Sequence, residues 1–158
     1  MKKNNKVILM LIIVIILLIL DQALKIYCLK YKNIETEKIL PGTSLTYEES
    51  NKGAFGVGQN SVVTYIISTC VVLGVVLKFF LGQIDRINVG IVIGISMVLA
   101  GGLSNMIDKI VYGFVINCIQ LLNLPSINLS YIVILLAWIE LAAIFAFNIW
   151  KETRKKDA

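Results

Sequence analysis

The sequence predicts an all-α membrane protein: four transmembrane helices carrying a small extracytoplasmic, β-containing cradle. Three observations carry this. First, 58% of the 158 residues are hydrophobic and only 16% charged, with a mean hydropathy of +0.83, whereas soluble domains lie nearer half apolar and a quarter charged. Second, the apolar residues fall into four long runs separated by polar connections. Third, the basic residues keep to one side. Lys2, Lys3 and Lys6 precede the first run, Arg86 sits between the second and third, and Lys151, Arg154, Lys155 and Lys156 follow the fourth. That is the positive-inside pattern of a chain with both termini cytoplasmic. The net charge of +5 therefore belongs to membrane orientation and not to nucleic-acid binding, for which no aromatic-interleaved basic patch exists.

The whole chain, 1–158, reads as one integral membrane domain with spans at about 7–29, 62–80, 90–108 and 128–150. Val7–Leu20 is unbroken aliphatic sequence. It covers only about 21 Å of helix, so the first span continues through DQALKIY to cross a core of about 30 Å. No small-x-small cleavage pattern follows, which marks a retained helix and not a removed signal. Residues 30–60 form the longest polar stretch, the cradle, with a short strand near Ser44–Tyr47 and a turn at Asn51-Lys52-Gly53. Val62–Phe80 crosses inward, Gly82–Asn88 turns, and Gly90–Asp108 crosses outward. Val111–Pro125 is a second external connection, read as re-entrant or interfacial, before Ile127–Trp150 ends in the basic tail.

Polar groups collect at one end of these spans. Asp21 and Lys25 are an i, i+4 pair in the favourable order. Gly101, Asn105 and Asp108, in GGLSNMIDK, share one helical face. Such residues in a span are expensive unless they face protein or water, and the glycines admit a second backbone. Their plainest reading is a packing seam with a polar staple. The absence of histidine removes Ser-His, Cys-His and histidine-metal chemistry together. Three cysteines, Cys28, Cys70 and Cys118, without CxxC spacing give neither a disulfide framework nor a zinc site. No metal or cofactor is expected.

Read in order, these motifs resemble those of signal peptidase II, the lipoprotein signal peptidase, a four-helix intramembrane aspartyl protease. DQALK (21–25) resembles that family's first motif, NKGAFG (51–56) its cradle motif, and GGLSNMIDK its third-helix motif with Lys109 where arginine is usual. GFVINCI (113–119) and INLSYIVI (127–134) sit where its two catalytic motifs belong. The resemblance implies a bacterial-type cytoplasmic membrane, lipidated signal peptides or prolipoproteins as partners, and Asp21, Lys25, Asn51, Gly53, Asn105 and Asp108 as site-supporting and ligand-binding residues. For Asn51 and Gly53 a plain turn is the competing reading.

The resemblance also places the two catalytic aspartates at Asn117 and Tyr131. Aspartyl chemistry requires one carboxylate to deprotonate water and one carboxylic acid to protonate the carbonyl oxygen. An amide performs neither role, and a phenol with a pKa near 10 is a poor base. Asp21 with Asp108 is the first candidate replacement pair. Lys109 with Ser104 or Ser130 is a weaker one, as neither serine is visibly activated. Glu140 lies about 13 Å deeper than Tyr131 and about 180° around the helix. Its face is otherwise apolar, which predicts a partner on another chain or a neutral acid. The expectation is a non-catalytic family member that binds lipidated signal peptides as decoy, chaperone or regulator. The alternative is an active peptidase with an unorthodox site, cleaving before diacylglyceryl-cysteine.

Overall fold

A computed structural model describes residues 1–30, 37–51, 61–122 and 124–156. Four helices, α1 (Lys3–Lys30), α2 (Val62–Gln83), α3 (Val89–Tyr112) and α4 (Leu129–Lys156), are joined by strands β1 (Glu37–Leu40), β2 (Thr43–Ser50) and β3 (Val115–Leu121). All four helices are long and apolar enough to cross a membrane. Their apolar side chains face outward over most of their length: only 11% of the core window of α1, α2 and α4 is buried, against 50% for α3. The centre of the bundle is therefore α3, with the other three helices around it.

Glycine explains how α4 comes so close to α3. A Cβ on Gly101 would stand 2.9 Å from the Ser130 carbonyl oxygen and 2.7 Å from Ile134, and one on Gly94 2.8 Å from Leu141. The two glycines thus admit α4 at two levels, as the sequence suggested for Gly101. Gly102, one residue on, faces Leu73 of α2 instead. Away from the sheet, Met10, Phe80, Ile84, Ile87, Val92, Ile95 and Leu99 form an apolar core. Lys6, though among the orienting charges, is itself buried, with Nζ donating to the carbonyls of Ile84 (2.6 Å) and Ile87 (2.8 Å) at the end of α2. It satisfies acceptors that a helix C-terminus leaves open.

At the other end the strands form one antiparallel sheet in the order β1-β2-β3. The strand expected near Ser44–Tyr47 extends to Thr43–Ser50. The connection after α3 differs more from its sequence reading. Gly113 ends α3 in the left-handed region (φ 83°) with its N–H on Lys109 O, and β3 joins the sheet. Glycine at this helix cap adopts positive φ without a Cβ penalty. Val115–Ile119 is apolar at every position but Asn117, so it lacks the alternation that marks a half-buried strand, and a short apolar run alone does not separate a doubly buried strand from other buried segments.

At Glu140 the structure adds an intrachain neighbour. Its carboxylate oxygens lie over α3, 3.6 Å and 3.4 Å from where Cβ atoms on Gly90 and Gly94 would stand. Its neighbour is thus a helix of the same chain, at the first turns of α3. The apolar residues counted on its face concealed this, because the facing positions on α3 are glycines.

Candidate functional site

The polar residues of α1 and α3 meet beneath the sheet. Lys25 Nζ stands 2.6 Å from Asp21 Oδ2 and 2.7 Å from Asp108 Oδ2, all three side chains being buried. It also donates to Asn105 Oδ1 at 2.9 Å. Gln22 Nε2 donates to Asp108 Oδ1 (2.9 Å) and Ser104 Oγ (2.8 Å), and Ser104 Oγ in turn to Asp21 Oδ2 (2.5 Å). Each carboxylate also takes a backbone donor. Asp21 Oδ1 accepts from Ser130 N at the start of α4 (2.8 Å), and Asp108 Oδ2 from Ile116 N on β3 (3.2 Å). A carboxylate at a helix N-terminus is favourably placed, so Asp21 docks α4 as well as pairing Lys25.

Asn128 carries the network to the two positions of interest. Fully buried, it caps α4 by accepting from Tyr131 N (2.9 Å). Its amide donates to Asn105 Oδ1 (3.0 Å), Ile116 O (3.1 Å) and Asn117 Oδ1 (3.3 Å). Asn117 is buried too, and its Nδ2 donates to Ser126 O at 2.8 Å. Both ends of that amide are thus engaged, and one asparagine links the residue at 117 to the helix turn bearing Tyr131. Tyr131 is half-buried and close enough to Tyr65 and Asp108 to interact electrostatically with both.

Between α2, α3 and α4 runs an apolar groove of about 210 Å³, lined by Tyr65, Thr69, Leu73, Gly102, Asn105 and Trp138 among others. Asn105 belongs to both groove and network. Lys109, buried after Asp108, donates to Asn51 O (3.2 Å) and Gly113 O (3.5 Å) and lies 5.5 Å from the centre of the Tyr65 ring. Asn51 is thereby tied to the end of α3 next to the groove; Gly53 lies outside the described residues.

Asp21, Lys25, Asn105 and Asp108 form one connected cluster, and Asn51 borders it through Lys109. In that arrangement the Lys25 ammonium stands between the Asp21 and Asp108 carboxylates and bridges them. Lys109 Nζ serves Asn51 O and Gly113 O and not Ser104 or Ser130; Ser104 Oγ serves Asp21, and Ser130 Oγ has no hydrogen-bond partner among the described residues. No group of metal-ligating residues occurs among the described residues. Sequence reasoning gave no site role to Gln22, Asn128 or Glu48, and took Ser104 only as a candidate partner of Lys109. For Asn128 the signal was present: an asparagine just before an apolar run is a helix cap. Glu48 had none, since only strand pairing brings it to Asn117.

Fold and cluster together define a multi-pass α-helical membrane protein with a polar site buried under a small sheet. A family profile described as signal peptidase (SPase) II matches residues 13–149. The chain belongs to the signal peptidase II family. It is 31% identical over 104 residues to a lipoprotein signal peptidase of Streptococcus thermophilus, covering 65% of this chain and 67% of that one. Over 139 residues it is 28% identical to that of Streptococcus agalactiae, covering 84% and 86%. Two solved bacterial membrane enzymes share the fold. One has a TM-score of 0.81 at 21% identity over 89% of this chain and 88% of the other; the second has 0.77 at 22% over 86% and 91%.

Proposed function

We propose that this protein binds lipidated signal peptides of prolipoproteins in the groove between α2, α3 and α4 and does not cleave them, acting as a decoy, chaperone or regulator. In this reading the sheet is extracytoplasmic, both termini are cytoplasmic, and Asn117 and Tyr131 stand at the positions of the family's catalytic aspartates. The observation that carries it is the state of Asn117, whose amide is held at both ends by Ser126 O and Asn128 Nδ2. An amide so fixed is a structural group with no proton to exchange. The supporting cluster is complete around it, and the groove keeps an apolar wall with Asn105 at its polar end, a composition suited to an acyl-bearing segment.

The test is a pair of measurements on the purified full chain. Saturable binding of a diacylated signal peptide is expected, with no cleavage of the matching prolipoprotein above background. Cleavage that persists in Asn117→Ala and Tyr131→Phe would instead establish an active peptidase using other residues. Absence of saturable binding at high micromolar peptide would remove the groove reading.

A further inference from the structure

The carboxylates near the sheet are not equivalent. Asp21 and Asp108 are held by Lys25 and by donors from Gln22, Ser104 and the backbone. Glu49 accepts from the Tyr47 hydroxyl at 2.8 Å. Burial first, and then this bond to Glu49, push the Tyr47 phenol up to about 12, so it remains a donor. Glu48 is placed otherwise. It is exposed and pairs directly with Asn117 across the β2–β3 ladder. Residues directly opposite in an antiparallel pair share a face, with Cβ atoms about 4.5–5.5 Å apart.

Two further details single it out. The Ser126 hydroxyl donates to Glu48 Oε2, while the carbonyl of the same Ser126 accepts from Asn117 Nδ2. Glu48 and Asn117 therefore converge on one residue. The ladder also shifts register between Leu45 and Glu48. Continued from the Leu45–Ile119 pairing, an unshifted ladder would set Tyr47 opposite Asn117; the extra residue sets Glu48 there instead. Bulges of this kind re-aim side chains beside functional sites.

We infer that Glu48 is the carboxylate that faces the peptide bound in this site, standing in space beside the position where the sequence carries an amide at 117. The inference rests on the groove being a lipidated-peptide site. It changes the account of what the site lacks. β2 delivers, directly opposite position 117, an accessible carboxylate able to accept a proton from water. Among the described residues no second carboxyl stands beside it to donate the proton. Hydrolysis needs both, so a site holding Glu48 alone binds without turning over.

An electrophilic probe tests this without requiring turnover. A diacylated signal peptide carrying an epoxide in place of the scissile amide is incubated with the full-length wild-type protein in detergent, and the adduct is mapped by tandem mass spectrometry. A carboxylate oxygen facing the epoxide attacks one ring carbon and the ring C–O bond breaks. The alkoxide then takes a proton from water, leaving a hydroxy ester. The matching diol peptide, which cannot react, measures binding separately and serves as competitor. The expected result is an ester on Glu48, suppressed by the diol and slowed at least tenfold in Glu48→Gln. Adding Asn117→Asp to Glu48→Gln should return the ester to position 117. Saturable diol binding with the ester on Asp21 or Asp108, or with no ester, would overturn the inference and leave the groove intact. No diol binding would overturn the groove reading, and this inference with it.

Discussion

The ammonium of Lys25 stands 2.7 Å from Asp108 Oδ2, with side-chain exposures of 1% and 0%. This contact joins α1 to α3 at a depth where neither charge reaches water, and Asp21 supplies the second carboxylate at 2.6 Å. A buried charge left without its partner typically costs about 3–5 kcal/mol. Lys25→Met would strand both carboxylates and should lower stability by about that much, read as the melting temperature in detergent or as failure to accumulate in the membrane. Asp108→Asn, which leaves the Lys25–Asp21 pair in place, should cost about 1–3 kcal/mol. Wild-type melting of Lys25→Met would show that the cluster is not what holds α1 against α3.

Carboxylates placed at 117 and 131, the positions proposed for the dyad, test the non-cleaving reading. Asn117→Asp with Tyr131→Asp should give slow cleavage of a lipidated prolipoprotein, since Asp21, Asn105 and Asp108 remain in place around them. Asn117→Asp alone should give none, because two carboxylates on the strand side still lack the α4 partner. Tyr131→Asp alone should give turnover only through Glu48, and Glu48→Gln should remove it. Cleavage by Asn117→Asp alone, equal to the double variant, would contradict this division of roles.

Orientation is tested by single-cysteine labelling in a cysteine-free background. Thr43, in the sheet, and Asp85, between α2 and α3, lie at opposite ends of the bundle. A cysteine at 43 should react with impermeant maleimide from outside intact cells, and one at 85 only after permeabilisation. The reverse result would sink the assignment of both termini to the cytoplasm, which rests on the lysine and arginine distribution.

The four helices were legible because lipid-facing helices are written as long apolar runs, and the Asp21–Lys25 and Asn105–Asp108 spacings because helical geometry fixes which residues share a face. What stayed hidden is non-local. Glu48 reaches Asn117 through a register shift in β2, and a register is a property of two strands, not of either alone. β3 itself looked like an interfacial segment because Asn117 and Gln120 are scattered among apolar residues on both faces and show no alternation. Asn128 was visible as a cap, but its three donor contacts depend on α3 and β3 both being in place.

Cys118 should behave as an inert core thiol. It is fully buried on β3, and burial is the largest of the causes pushing its pKa above the ordinary 9.0. A raised pKa means that folding favours the neutral thiol. Its stabilising effect is complete below pH 9 and is lost as the pH climbs from there toward the raised value, where the unfolded chain ionises first. Iodoacetamide at pH 9 should therefore leave Cys118 unmodified in the folded protein and alkylate it in denaturant. Comparable rates in both states would show that β3 opens readily.

Glu140 tests how α4 lies on α3. Its carboxylate sits over Gly90 and Gly94, beside the α3 N-terminus, where Asn88 caps the helix by accepting from Ile91 N. The partial positive charge there favours an anion by about 0.3–1 kcal/mol, and Glu140→Gln should forfeit about that amount and no more. The glycines are the less forgiving half of the contact. A Cβ on Gly94 would come within 2.8 Å of Leu141 and 3.4 Å of Glu140 Oε2, so Gly94→Val should push the helices apart at a cost of about 1–3 kcal/mol. Glu140→Ala together with Gly94→Val should recover little, because Leu141 still blocks the added methyls. Melting temperatures of the three variants in one detergent supply the comparison. If Glu140→Gln instead abolished crosslinking of α4 to another chain while leaving the melting temperature unchanged, the residue would belong to an intermolecular interface and not to the α3–α4 seam.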